Sequence, residues 1–147
     1  PPPSTRRTSR RQRQMCIRDR TIPGVGPITA SAIVATVGEP QRFRSGRDFA
    51  AWIGLTPLNK SSGGKERLGR ITKMGDRYLR RLLVSGMTAR IGHARRQPDC
   101  VDPWVIRLLG RKPTRLATIA MANKTARIIW AVLTRQKPYQ APQFAAA

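Results

Sequence analysis

The chain has 147 residues, enough for one domain with a modest core, and its 29 Lys and Arg against 7 Asp and Glu give a formal net charge of +22. Such an excess indicates a polyanionic partner, and nucleic acid is the default one. The basic residues recur along the whole chain and no uninterrupted apolar run is long enough to span a bilayer, so we expect no membrane partner. Two cysteines and one histidine show no metal-ligand spacing, which predicts a reduced, cytosolic, metal-free domain.

Residues 1–20 differ in composition from the rest of the chain. Residues 1–14 contain no apolar side chain other than proline, and Met15 to Arg20 resembles the translation of an adapter used in sequencing libraries. We interpret residues 1–20 as an assembly artefact, with a natural disordered basic arm as the alternative. They hold seven Arg and one Asp, so their removal would lower the net charge from +22 to +16 and leave the nucleic-acid inference standing.

The ordered part of the chain is predicted to begin at Thr21, where Thr-Ile-Pro-Gly-Val-Gly-Pro precedes an apolar run from Ile28 to Val37. This pattern predicts a turn followed by a short helix, and exposed amides at a helix start can hold a phosphate. It resembles the hairpin of helix-hairpin-helix modules, with Gly24, Val25 and Gly26 as candidate nucleic-acid contacts. A tight connector between two helices is the alternative.

The remaining pattern predicts a small, mainly helical, all-α domain over residues 21–136 with one extended or hairpin loop. Ser45 has the spacing of a helix cap, residues 56–72 predict the surface hairpin, and a long cationic helix follows Gly75. A short helix should end near Gly110, and a final helix should run from Thr114 to Gln136. Residues 137–147 are expected to be a disordered tail.

The apolar positions of the predicted long helix after Gly75 and of the predicted final helix should face the core. In the final helix these positions are Leu116, Ile119, Ala120, Ile128, Ile129, Val132 and Leu133. In the long helix the same periodicity leaves four arginines free to project outward, namely Arg77, Arg80, Arg81 and Arg90.

The segment from Pro57 to Arg81 carries the chemistry. Its glycines let the backbone approach a bulky polyanion, and its hydroxyls lie among cations that can offset charge on phosphate oxygens. A basic loop that only grips DNA is the simpler alternative. The candidate phosphate contacts are Lys65, Arg67, Arg70, Lys73, Arg77, Arg80 and Arg81.

Four signatures in this order resemble one family. They are Ile22-Pro-Gly-Val-Gly-Pro27, Ala50-Ala-Trp-Ile-Gly-Leu-Thr-Pro57, Ser61-Ser-Gly-Gly-Lys65 and Gly69-Arg-Ile-Thr-Lys-Met-Gly-Asp76. Together they resemble the C-terminal domain of the DEDD-type insertion-sequence transposases, the serine-dependent recombinases guided by a bridge RNA. The resemblance covers residues 21–136.

The resemblance implies that Ser62 is the nucleophile, with Ser61 as the alternative, and that DNA is cleaved and rejoined through a phosphoserine link. It also implies a bacterial or archaeal cytoplasmic, nucleoid-associated enzyme that uses a guide RNA and assembles as a homo-oligomer. Magnesium is expected in an N-terminal RuvC-like domain of the parent protein, and no cofactor is expected in this chain. We therefore predict that this segment binds nucleic acid and does not recombine DNA alone.

Two other classes of function compete with this one. The first is a non-catalytic helix-hairpin-helix module that binds DNA or RNA, in which the loop only positions phosphate. The second is a basic structural protein of the ribosomal kind, which would explain the charge but not the ordered loop motifs.

Overall fold

A computed structural model describes residues 22–141, and within them the fold is mainly helical with one small antiparallel hairpin, as predicted. The strands are β1 (Pro57–Asn59) and β2 (Leu68–Ile71), paired with Pro57 opposite Ile71 and Asn59 opposite Leu68. The helices are α1 (Pro27–Val37), α2 (Gly46–Ile53), α3 (Arg77–Arg96), α4 (Pro103–Arg111) and α5 (Thr114–Arg135). Short 3-10 turns at Pro40–Arg42 and Pro98–Cys100 join them.

Three helices begin at polar caps that the local sequence supplies. The Ser45 hydroxyl accepts a hydrogen bond from the Asp48 amide at 3.2 Å, which confirms the predicted cap of α2. Asp76 accepts from the Leu79 amide at 2.7 Å, and Asp102 accepts from the Trp104 amide at 2.7 Å. Asp76 and Asp102 therefore start α3 and α4, and their carboxylates face amides that would otherwise be unpaired.

The core lies where α5 crosses α2 and α3. Phe49 of α2, Leu83 of α3 and Ile129 of α5 are each fully buried. Two long-range hydrogen bonds reinforce this packing, because the Asn123 amide donates to the Leu55 carbonyl at 3.2 Å and the Trp130 indole donates to the Pro40 carbonyl at 3.1 Å. Helix α5 thereby holds the segments that flank α2 at both ends.

A close backbone crossing fixes the base of the hairpin. Gly54 caps the C-terminal end of α2 with φ +82°, and the segment leading into α3 passes over it at Gly75 with φ +104°. A Cβ at Gly75 would collide with the Trp52 carbonyl oxygen, and one at Gly54 would collide with the Met74 carbonyl oxygen. Both positions need glycine for conformation and for space.

A second crossing seats the turn before α1 on the long helix. Gly24 has φ +85°, and a Cβ there would collide with the Met87 methyl group. A Cβ on Gly86 would in turn collide with the Gly24 carbonyl oxygen. The turn therefore packs directly on α3.

Three packing expectations are wrong. Leu116 is expected on an apolar face that packs inward, but it is 52% exposed. Arg80 and Arg90 do not project outward, because both are half-buried. Burial lowers the pKa of the Arg90 guanidinium, while the charges of Tyr139 and Asp102 act in the opposite direction. Periodicity identifies an apolar stripe but not how much of that stripe a neighbour covers.

Helix α5 is long and apolar enough to be a candidate membrane span, although the sequence has no uninterrupted apolar run of that length. By length and mean hydropathy it could cross a bilayer, yet half of its most apolar window is buried inside the fold. Its nine buried residues include polar Thr118 and Thr125. The helix thus has the burial of a core element.

Two further predictions concern the ends of the chain. The basic segment 1–20, with Thr21, lies outside the described residues, as does any helix that would precede the turn at Ile22. The tail is described to residue 141, and Tyr139 packs against the core.

Candidate nucleic-acid interface and serine hairpin

The candidate nucleophiles lie at the tip of the hairpin. Ser62 and Lys65 form an isolated bridge across a two-residue turn, in which Gly63 and Gly64 have φ of +59° and +77°. Positive φ at both central residues is typical of a type I′ turn, which suits the twist of the flanking strands. Two adjacent glycines therefore place Ser62 beside the apex.

The two serines differ in their hydrogen bonding. The Ser61 amide donates to the Asn59 side-chain oxygen at 2.9 Å, and the Ser61 hydroxyl donates to the same oxygen. Within residues 22–141 the Ser62 hydroxyl has no hydrogen-bond partner. Asn59 thus engages the Ser61 hydroxyl, whereas the Ser62 hydroxyl is available to a ligand.

The hairpin is exposed and strongly cationic. Every residue from 57 to 68 is exposed, and Glu66 is the sole acidic residue between positions 57 and 73. Among the described residues the only salt bridge joins Lys124 to Asp102, and neither residue belongs to this arm. The basic side chains of the arm and its base are Lys60, Lys65, Arg67, Arg70 and Lys73.

Lys73 stands at the base of the arm in a conformation unusual for a residue with a side chain. Its φ is +55°, and its amide donates to the Gly54 carbonyl at 3.2 Å. The exposed Lys73 side chain therefore leaves the fold from a fixed backbone position.

The three candidate arginines of α3 have different environments. Arg77 and Arg81 are exposed. Arg80 is half-buried, and its guanidinium donates to the Ile53 carbonyl at 2.7 Å, at the C-terminal end of α2. Arg80 thus has a structural contact that its two neighbours lack.

The turn before α1 has fewer exposed backbone amides available to a phosphate than its sequence suggested. Val25 is 5% exposed, and its amide already donates to the Ile22 carbonyl at 3.0 Å. Gly24 is packed on α3, whereas Gly26 caps α1 with open space where a Cβ would lie. Of these three residues, Gly26 is the most accessible to a phosphate.

No group of three or more His, Cys, Asp or Glu side chains that could hold a metal ion occurs between residues 22 and 141. The exposed Cys100 is free, and His93 is exposed near the end of α3.

Residues 19–100, more than half of the chain, match the model of the Transposase IS116/IS110/IS902 family. The chain belongs to this family. The matched region contains the turn at Gly24, the serine hairpin and all of α3.

Curated relatives agree with this assignment. A "Probable family 20 transposase" from Pseudomonas aeruginosa is 46% identical over 119 residues, which cover 81% of the chain and 35% of the relative. A putative transposase of Sinorhizobium fredii is 48% identical over 81% of the chain and 31% of the relative. The "Transposase for insertion sequence element IS1111A" of Coxiella burnetii is 43% identical over 85% of the chain and 34% of the relative. The chain spans about a third of the length of these transposases.

Asn59 has a role in the hairpin that was not predicted from the sequence. An Asn two residues before a Ser is a local signal, since its side chain can accept the amide two positions on and form an Asx turn. That signal separates Ser61 from Ser62, which the spacing of the motif alone could not do.

Proposed function

We propose that this chain is the serine-bearing, DNA-contacting part of an insertion-sequence transposase that cleaves and rejoins strands through a phosphoserine intermediate. The family membership supports the transposase assignment. The serine chemistry rests on the hairpin.

One observation carries this proposal. Ser62 lies beside the apex of an exposed cationic arm with its hydroxyl unpaired among the described residues, while the Ser61 hydroxyl is bonded to Asn59. A hydroxyl held in this way can approach a phosphate without first giving up an internal hydrogen bond. Lys65 and Arg67 are close in sequence and exposed, so they can meet the phosphate oxygens.

The reaction follows from the nucleophile. The Ser62 Oγ attacks phosphorus and forms a P–Oγ bond, the bond from phosphorus to one deoxyribose oxygen breaks, and that oxygen leaves with a proton as a free strand end. A base removes the serine proton. Attack by the hydroxyl of a new strand end then breaks the P–Oγ bond, restores serine and reseals DNA, so no nucleotide hydrolysis is needed.

The base and any magnesium site belong elsewhere in our proposal. The carboxylates among residues 22–141 do not assemble into a set that fits Mg²⁺, so none of our steps passes through a metal held by this chain. We assign activation of Ser62 to a RuvC-like domain in a protein of the relatives' length. A guide RNA and a second protomer complete the proposed assembly, because joining two duplexes requires several breaks.

The test uses this segment joined to its upstream coding region, with magnesium, the flanking RNA and a suicide DNA substrate. Ser62→Ala should abolish the covalent protein-DNA adduct, since it removes the attacking oxygen. Ser61→Ala is the matched control and should retain the adduct. Denaturing electrophoresis of labelled DNA gives the readout, and DNA affinity should be nearly unchanged in both variants.

An adduct that persists in Ser62→Ala but disappears in Ser61→Ala would identify Ser61 as the nucleophile. No adduct in the unaltered protein, despite tight DNA binding, would support the non-catalytic module instead.

A further inference from the structure

A wide groove runs between the hairpin, α2 and α5. Its volume is about 1790 Å³, above the roughly 300–1,000 Å³ typical of small-molecule sites. Its lining includes Arg47 of α2, Leu68 of β2 and Leu116 of α5. The size and openness of this groove suit a polymer.

The floor of the groove is apolar and uncovered. Leu68 and Leu116 are 73% and 52% exposed, and half-buried Ile71 and Ile119 line the same groove. Exposed apolar side chains gathered in one groove are typical of an interaction site. It also explains why the periodicity of α5 misplaced Leu116 in the core.

The rim of the groove is cationic. No Asp or Glu lines it, whereas seven Lys and Arg do. One of them, Lys124, is already engaged with Asp102 at 3.8 Å and lies over the Trp104 ring at 3.7 Å. The other six form no salt bridge among the described residues: Arg47, Arg70, Lys73, Lys112, Arg115 and Arg127.

We propose that this groove binds single-stranded DNA, with phosphates on the cationic rim and unpaired bases on the apolar floor. In a duplex the bases are stacked and face inward, so the rim would gain phosphate contacts but the floor would gain nothing. A single strand presents both chemistries along one chain. The occupant must therefore be polyanionic and carry exposed apolar faces.

The position of the groove connects it to the reaction. Arg70 and Lys73 belong to both the groove and the base of the serine arm, so a strand lying in the groove continues toward Ser62. The choice of DNA over RNA rests on the proposed function. The rim residues Arg47, Lys112, Arg115 and Arg127 lie outside the loop motifs, which extends the interface onto α2 and α5.

The first test measures binding of a short labelled oligothymidylate to the 147-residue chain by fluorescence anisotropy at several salt concentrations. The double variant Lys112→Gln/Arg115→Gln should weaken binding roughly tenfold and lower the salt slope by about two. Arg107→Gln/Arg135→Gln is the matched control, since both arginines are exposed and neither lines the groove. It should change affinity far less.

The second test addresses the floor. Leu68→Ser/Leu116→Ser should weaken oligothymidylate binding roughly three- to tenfold and leave duplex affinity unchanged. Ile28→Ser is the control, because Ile28 is 67% exposed but lies outside the groove. Unaltered melting temperatures for these surface variants separate lost binding from lost folding.

Three results would overturn the proposal. Equal losses of oligothymidylate affinity in the groove double variant and in the control double variant would mean that binding depends on net charge alone. If an oligouridylate of the same length binds more tightly than the oligothymidylate, and its affinity falls equally when Leu116 is replaced, the occupant is RNA. If the leucine substitutions weaken binding of an acidic amphipathic peptide but leave DNA affinity unchanged, the occupant is a polypeptide. None of these readouts requires Ser62, so failure here is distinct from failure of the phosphoserine mechanism.

Discussion

Arg80 and Arg81 are adjacent in sequence and have opposite roles in the structure. The Arg80 guanidinium donates to the Ile53 carbonyl at 2.7 Å from a half-buried position, whereas Arg81 is exposed. Carbonyls at the end of a helix lack internal partners, so this contact anchors the C-terminal end of α2 and the hairpin that follows.

We therefore expect Arg80→Gln to lower the free energy of unfolding by about 1.5–3 kcal/mol, the usual range for a hydrogen bond to a charged group. Arg81→Gln should stay within about 0.5 kcal/mol, as surface substitutions do. Urea denaturation followed by circular dichroism measures both. Equal stability of the two variants would mean that the Arg80 contact contributes nothing.

Gly75 allows a second comparison at the same scale. Its φ of +104° and the proximity of the Trp52 carbonyl exclude a side chain. Gly75→Ala should cost at least about 1–3 kcal/mol from backbone strain alone. Gly110→Ala is the control, because Gly110 lies in α4 with open space around it, and it should be neutral or slightly stabilising. Thermal melting compares them, and a fully stable Gly75→Ala variant would contradict the crossing.

At the scale of the element, the hairpin is an arm whose geometry depends on its turn. Gly63 and Gly64 have positive φ and no atom within contact distance, so they are required for conformation and not for space. The tip is exposed and contributes no side chain to the core. Changes there should affect chemistry much more than stability.

Replacing both turn glycines with valine should reduce adduct formation by the full-length protein at least roughly tenfold, since a β-branched residue at positive φ is strained by about 1–2 kcal/mol and the turn reopens. Gly63→Asn should preserve activity, because Asn tolerates this conformation and Asn-Gly favours the type I′ turn. The melting temperature of both should match the unaltered protein. A fully active double-valine variant would show that the turn does not position Ser62.

Local chemistry decided which elements could be predicted. The Ser45 cap, the hairpin between Thr56 and Thr72, and the bounds of α5 depend on residues close in sequence, and the structure confirms them. The roles of Gly54, Gly75 and Arg80 depend on segments that meet only after folding. Similarly, Leu116 has the periodicity of a core-facing residue, but whether a neighbour covers it is a tertiary property.

At the scale of the whole molecule, the charge and the core are separated. The buried hydrophobic residues come from all five helices and the flanking loops, and no Lys or Arg is fully buried among the described residues. Arg70 and Lys73 belong both to the serine arm with its base and to the lining of the groove. A net charge of +22 predicted a nucleic-acid partner, but composition could not locate the groove cations because they are spread from position 47 to 127.

The central claim is that the Ser62 oxygen becomes bonded to DNA phosphorus. Trypsin cleaves after Lys60 and Lys65, so the peptide Ser61-Ser62-Gly63-Gly64-Lys65 carries both candidate serines and can be isolated from a trapped adduct after nuclease digestion. Fragmentation by mass spectrometry should place the residual nucleotide phosphate on Ser62. Phosphate on Ser61, or on no residue of this peptide in a protein that still recombines DNA, would contradict the account.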